Sequence, residues 1–193
     1  MNEQINEIIS RIRQLENELE AEVEKGRALY GMKLKGKVAE FESNAIETQR
    51  RLRVGLVQFF KETPPLNILS APVIYSLILP LALLDIWVTV YQHICFRVYG
   101  IARVTRADYV VFDRQNLAYL NLVEKINCAY CSYGNGVIAY AREIASRTEQ
   151  YWCPIKHAQR VLDPHQRYLK FLDYGDAEGF RTKLDDFRKN DKA

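Results

Sequence analysis

The sequence predicts an all-α chain with an apolar membrane anchor, on three observations. Ile5, Ile8, Ile12, Leu15 and Leu19 recur at alternating steps of three and four residues, the seam of a coiled-coil-like helix. Between Glu62 and Arg97 the only formal charge is Asp85. Beyond that stretch, apolar residues return at helical spacing around Cys128, Cys131, Cys153 and His157.

The seam opens a long N-terminal arm, residues 1–62. Gly26, Gly31 and Gly36 interrupt it, each costing about 1 kcal/mol against alanine in a helix interior. A second amphipathic run follows through Val38, Phe41, Ala45, Leu52, Leu56 and Phe59. The expectation is one long helix, or two in succession, over 3–60. Its apolar stripe needs a cover, from the same chain, from a second copy or from a protein partner.

Thr63-Pro64-Pro65 ends the arm, because neither proline can donate the next helical hydrogen bond. Residues 63–102 then form the expected anchor. The stretch Leu66–Phe96 has 31 residues, roughly 46 Å as one helix at 1.5 Å per residue. That exceeds a hydrocarbon core of about 30 Å. Two arrangements fit: a single tilted span centred on 73–94, or a re-entrant hairpin bending near Pro80. Basic residues flank both ends, Arg50, Arg51, Arg53 and Lys61 before it and Arg97, Arg103, Arg106 and Arg114 after it. Equal flanks favour keeping both ends on the cytoplasmic side, and hence the hairpin. Asp85 and His93 fall near one helix face and are expected to be solvated at the interface, with a protein-facing pair as the alternative.

Residues 103–175 read as a small helical domain. Leu117, Leu120, Val123 and Ile126 carry a helix into Cys128, and Ser132-Tyr-Gly-Asn-Gly136 is expected to break it. Helical periodicity resumes through Ile138, Ala141 and Ala145. Cys153-Pro154 is then expected to start a further helix carrying His157 and Val161, with Pro154 at its first position. Asp163-Pro164 halts that helix, and a short one follows over 167–172. The charged segment 176–193 reads as a solvated, partly disordered tail.

Cys128 and Cys131 are separated from Cys153 and His157 by one intervening run of 21 residues, 132–152. Two well-spaced pairs supply four soft or borderline donors, the number a tetrahedral zinc requires. With every position filled by protein, such a site is structural and closed. The three thiolates with His157 also fit an iron–sulfur cluster, and the Cys153-Pro154 dipeptide alone can offer a thiolate to haem iron, so a redox protein is the competing class. The c-type haem signature is absent because Ser132 follows Cys131.

Composition narrows the function class. The net charge is +3 over 193 residues and the cations are interleaved with acids, so no nucleic-acid stripe is present. Four cysteines suggest no disulfide framework. Met1–Glu7 has neither a basic nor an apolar leader pattern, so no cleavable signal is expected. No phosphate-binding glycine loop, HExxH or GxSxG occurs. The segments Asn127–Gly136 (NCAYCSYGNG) and Tyr151–Ala158 (YWCPIKHA) resemble segments of uncharacterised bacterial membrane-associated proteins. That resemblance implies a membrane setting and no particular activity. The expected role is binding or scaffolding at the membrane, with the Cys/His domain on the cytoplasmic side and a second copy or another protein on the N-terminal helix.

Overall fold

In the computed structural model of the chain, residues 3–35 and 38–189 are described. They group into two units, Met1–Lys61 with Asp113–Lys125, and Glu62–Phe112 with Ile126–Ala193. These units cut across the four consecutive segments read from the sequence. Residues 113–125 group with the N-terminal arm, and the apolar segment groups with the C-terminal helices.

The predominantly helical class is as expected. In the first unit, α1 (Glu3–Leu29) passes through Gly26 without a break. The chain then turns at Gly31, whose φ of 62° is a left-handed value that glycine adopts without strain. Strand β1 (Met32–Lys35) pairs antiparallel with β2 (Val38–Phe41), Met32 opposite Phe41 and Lys33 opposite Glu40. This hairpin corrects the expected helix over 3–60. Alternation in Met32-Lys-Leu-Lys has a period of two, which the helical reading of isolated apolar positions overlooked. Gly36 lies outside the described residues. Helices α2 (Ser43–Arg51) and α3 (Leu56–Glu62) complete the arm.

The second unit is built on a long apolar helix. It comprises α4 (Pro65–Ser76), α5 (Ile78–Tyr91), a π-helical turn at Gln92–Phe96 and the short α6 (Arg97–Tyr99). Together they form one 35-residue helix, Pro65–Tyr99. No hairpin forms at Pro80. It sits in the first turn of α5, where a missing N–H costs little, and Leu77 at the junction keeps right-handed helical angles. Gly100 ends the helix in the left-handed region, and the Ile101 N–H returns to the Phe96 carbonyl.

Helix α7 (Leu122–Trp152) is continuous through Ser132–Gly136, where a break was expected. Asn121 caps it: its carboxamide oxygen accepts from the Glu124 N–H at 3.0 Å, while the Glu124 carboxylate accepts from the Asn121 N–H at 2.7 Å. Within the second unit, α7 runs parallel beside the apolar helix. The bonded pairs Tyr75–Asn127, Thr89–Tyr140 and Tyr91–Thr148 are separated in sequence by 52, 51 and 57 residues. Both members of these pairs advance in the same order along the chain, which makes the two helices parallel.

Parallel helices require the chain to travel back, and residues 101–112 do so in largely non-helical form. The Arg147 guanidinium donates to the Ala102 carbonyl at 2.6 Å, and farther along this return segment Val110 packs against Gly136. A Cβ on Gly136 would stand 2.7 Å from the Tyr109 carbonyl oxygen and 2.9 Å from the Val110 Cα. The glycine that reads as a helix breaker is instead the place where backbone crosses backbone. Phe96, Ile101, Val104, Tyr140 and Ile144 form the core between these three pieces.

Past α7 the chain does not resume a helix at Pro154. Pro154 is fully buried, and its carbonyl accepts from the Leu172 N–H at 2.9 Å. The Lys156 N–H reciprocates to the Leu172 carbonyl at 2.7 Å. A 3-10 turn follows at Gln166–Lys170. The expected disordered tail is helix α8 (Ala177–Lys189) through its described part. Phe187 meets the Phe171 ring edge-on, and Arg188 lies over the Tyr151 ring, so few apolar side chains suffice to dock it. Residues 190–193 of that segment lie outside the described residues.

Candidate functional site

The four sequence-predicted ligands are dispersed. Cys128 and Cys131 lie one turn apart in the N-terminal half of α7, half-buried and exposed respectively. Cys153 follows the end of the same helix, and its N–H still bonds the Glu149 carbonyl. From Cys131 to Cys153 is about 33 Å along an unbroken helix. Sulfurs sharing one zinc stand about 4 Å apart, given bonds of about 2.3 Å. The fold therefore gives Cys128, Cys131, Cys153 and His157 no common ion within one chain. The iron–sulfur alternative, which needs three thiolates together, loses its shared donor set for the same reason. Among the described residues, no group of three or more His, Cys, Asp or Glu side chains is placed to hold a metal ion.

The missing step is local. The expected break at 132–136 was needed to fold one cysteine pair back on the other, and α7 is straight there. His157 is also not on a helix with Cys153. Its ring stacks on Tyr168 with centroids 6.1 Å apart, and its N–H donates to the Tyr168 hydroxyl at 2.7 Å. The Cys153 thiol is pushed up by burial of the sulfur and then by the Glu149 carboxylate, although the residue as a whole is exposed. A thiol held protonated is a poorer ligand and nucleophile.

What the structure assembles instead is a helix with two contrasting faces. One face carries a polar ladder. Asp85 is buried and takes a bidentate ion pair from Arg106, with Nη2 at 2.6 Å from Oδ2 and Nε at 2.9 Å from Oδ1. The Tyr133 hydroxyl donates to the same carboxylate at 3.1 Å. Two turns on, Gln92 clamps the return segment. Its Oε1 accepts from the Val104 N–H at 2.9 Å, and its Nε2 donates to the Val104 carbonyl and to the Tyr140 hydroxyl. The π-helical turn beginning at Gln92 keeps both Gln92 and Phe96 on the inner side. Asp85 and His93 do not pair: the His93 ring is exposed and its Nδ1 contacts the Thr89 carbonyl.

The other face is apolar and uncovered. Leu66, Leu69, Val73, Leu77, Pro80, Leu83, Trp87, Val90, Ile94 and Val98 are all exposed. Their mean step is close to the 3.6 residues of a helical turn, so they make one straight stripe along the whole helix. Trp87, near the middle, is 72% exposed. Sequence periodicity missed this stripe because its opposite face is equally apolar over most positions. Only Asp85 and Gln92 marked which side would be covered, and nothing in the sequence marked Arg106 as the partner of Asp85.

A second charged network stands on α7. Glu143 receives Arg147 Nε and Arg167 Nη2, each at 2.8 Å. Burial raises its pKa, and the two guanidiniums outweigh that, so the carboxyl titrates below the usual glutamate range. His165 Nε2 lies 2.9 Å from the Glu149 carboxylate. These groups tie residues 165–167 to α7 and are stabilising contacts of the fold. Comparison with protein families, curated proteins and solved structures finds no match to this chain.

Proposed function

We propose that this chain is a membrane-attached interaction protein, held to lipid by the apolar helix Pro65–Tyr99 and presenting α1 to a helical partner. The observation that carries the reading is the uncovered stripe. Only 6% of the most apolar window of that helix is buried within the chain. A core helix of a soluble protein hides such side chains; this one exposes them in register for about 48 Å. Each large apolar side chain gains about 1.5–3 kcal/mol when fully removed from water. Half that gain over the stripe is on the order of 10 kcal/mol, against about 5–6 kcal/mol for a single myristoyl chain.

The partner reading rests on α1. Ile8, Ile12, Leu15 and Leu19 are exposed along its seam. A seam of two to three heptads is marginal as an isolated coiled coil. Confinement to a surface raises the effective concentration of one copy for another, and a second copy is therefore the favoured partner.

Flotation of the full chain with vesicles, without detergent, tests the attachment. The parent chain is expected to rise with the lipid. Leu83→Glu/Trp87→Glu/Val90→Glu, three changes at exposed positions, is expected to leave it in the soluble fraction. A parent chain that stays soluble beside vesicles refutes the proposal.

A further inference from the structure

We infer that the apolar helix lies in the plane of one leaflet, lipid on one face only, and does not cross the bilayer. This rests on the membrane-attachment reading and adds its geometry. The decisive feature is the return segment. Arg103, Thr105, Arg106, Ala107 and Asp108 are exposed, the first two in irregular backbone and the last three in a single 3-10 turn. Arg106 is fixed to Asp85, close to the midpoint of the 65–99 helix. A spanning helix would carry that exposed backbone, with its charged side chains, to the centre of the hydrocarbon. Lipid-exposed irregular backbone at that depth leaves peptide groups without partners, and spanning structures avoid it. In the plane of the leaflet, the same segment stays on the water side.

Two further facts agree. The helix of 35 residues is roughly 52 Å long, well beyond a core of about 30 Å. Helix α7 runs parallel beside it and carries Arg142, Glu143, Arg147 and Glu149, none of which tolerates hydrocarbon. Arg97 is exposed beside Val98 at one end of the apolar helix, a cation available to lipid phosphates. The occupant of the stripe is thus the acyl layer just below the headgroups of an anionic membrane. A second copy of the stripe would be the alternative occupant.

The test measures depth at three places along the stripe. With Trp152→Phe as background, Trp87 reports the middle. Leu69→Trp and Ile94→Trp, each with Trp87→Phe added, report the two ends. The full chains are bound to phosphatidylcholine–phosphatidylglycerol vesicles carrying bromine at shallow or deep acyl positions. In-plane seating is expected to give the same shallow depth at all three positions, with shallow bromine quenching at least twofold more than deep bromine. A deep centre with shallow ends establishes a span and overturns the inference. Quenching at none of the three while the chain floats with vesicles assigns the stripe to a second copy and also overturns it. Failure to float at all defeats the attachment reading itself, a separate result. Polarised infrared spectra of the unmodified chain on oriented bilayers guard against a variant that misfolds. The amide I dichroism is expected to place the parallel helices in the membrane plane, and dichroism along the membrane normal refutes it.

Discussion

Gly136→Ala isolates the packing on which the second unit depends. The new methyl carbon would meet the Tyr109 carbonyl oxygen at 2.7 Å and the Val110 Cα at 2.9 Å. Both are backbone atoms, so relief requires the return segment to move away from α7. Overpacking of this kind costs about 1–3 kcal/mol, and backbone obstacles place it toward the upper part of that range. Alanine recovers about 1 kcal/mol of helix propensity. The net expected loss is about 1–2 kcal/mol. Gly26→Ala in α1 is the matched control, because a Cβ there meets nothing within 4 Å. It is expected to be neutral or to stabilise α1 by up to about 1 kcal/mol. Denaturant unfolding in mild detergent, read by circular dichroism and pulse proteolysis, gives both values. A Gly136→Ala chain as stable as the parent refutes the close crossing of backbone on backbone.

Three further outcomes are expected. Arg106→Ala leaves the Asp85 carboxylate with the Tyr133 hydroxyl alone; breaking a buried pair costs about 3–5 kcal/mol. The guanidinium keeps 42% exposure, so about 2 kcal/mol is expected here. An Asp85→Leu/Arg106→Leu double variant should recover most of it in the same unfolding assay. Glu143, titrating below its ordinary range, contributes stability that is complete above about pH 4.3 and is lost as pH falls through its folded value. Glu143→Gln should flatten that acid limb, and an unchanged slope would remove Glu143 as its source. Cys128→Ser and Cys153→Ser should leave bound zinc unchanged by elemental analysis, since the two residues share no site; equal stoichiometric losses would restore one.

The sequence made the element types legible where one signal dominated. Thr63-Pro64-Pro65 separated α3 from α4, and the charge-free stretch marked the apolar helix. Its exposed stripe was hidden because both faces are apolar, so periodicity had nothing to oppose. Turn-forming residues misled in both directions. Ser132–Gly136 looks like a break, yet Gly136 is required by the close crossing of Tyr109 and Val110. Pro154 reads as a helix start, yet its carbonyl is taken by Leu172. The metal-site expectation failed with them, because spacing along the chain sets distance in space only when the intervening structure is known. Asp85 was the residue whose chemistry demanded a partner, and only tertiary placement could select Arg106. The small hairpin at 32–41 was missed because each strand has only four residues, too short to outweigh the helical runs around it.

Photo-crosslinking with a diazirine carried on lipid acyl chains, mapped by mass spectrometry on the intact protein, interrogates the two faces of the 65–99 helix together. Adducts are expected on Leu83, Trp87 and Val90 and not on Leu81, Thr89 and Gln92. Adducts distributed evenly around the helix, or none on the helix of a vesicle-bound chain, would contradict a one-sided lipid contact.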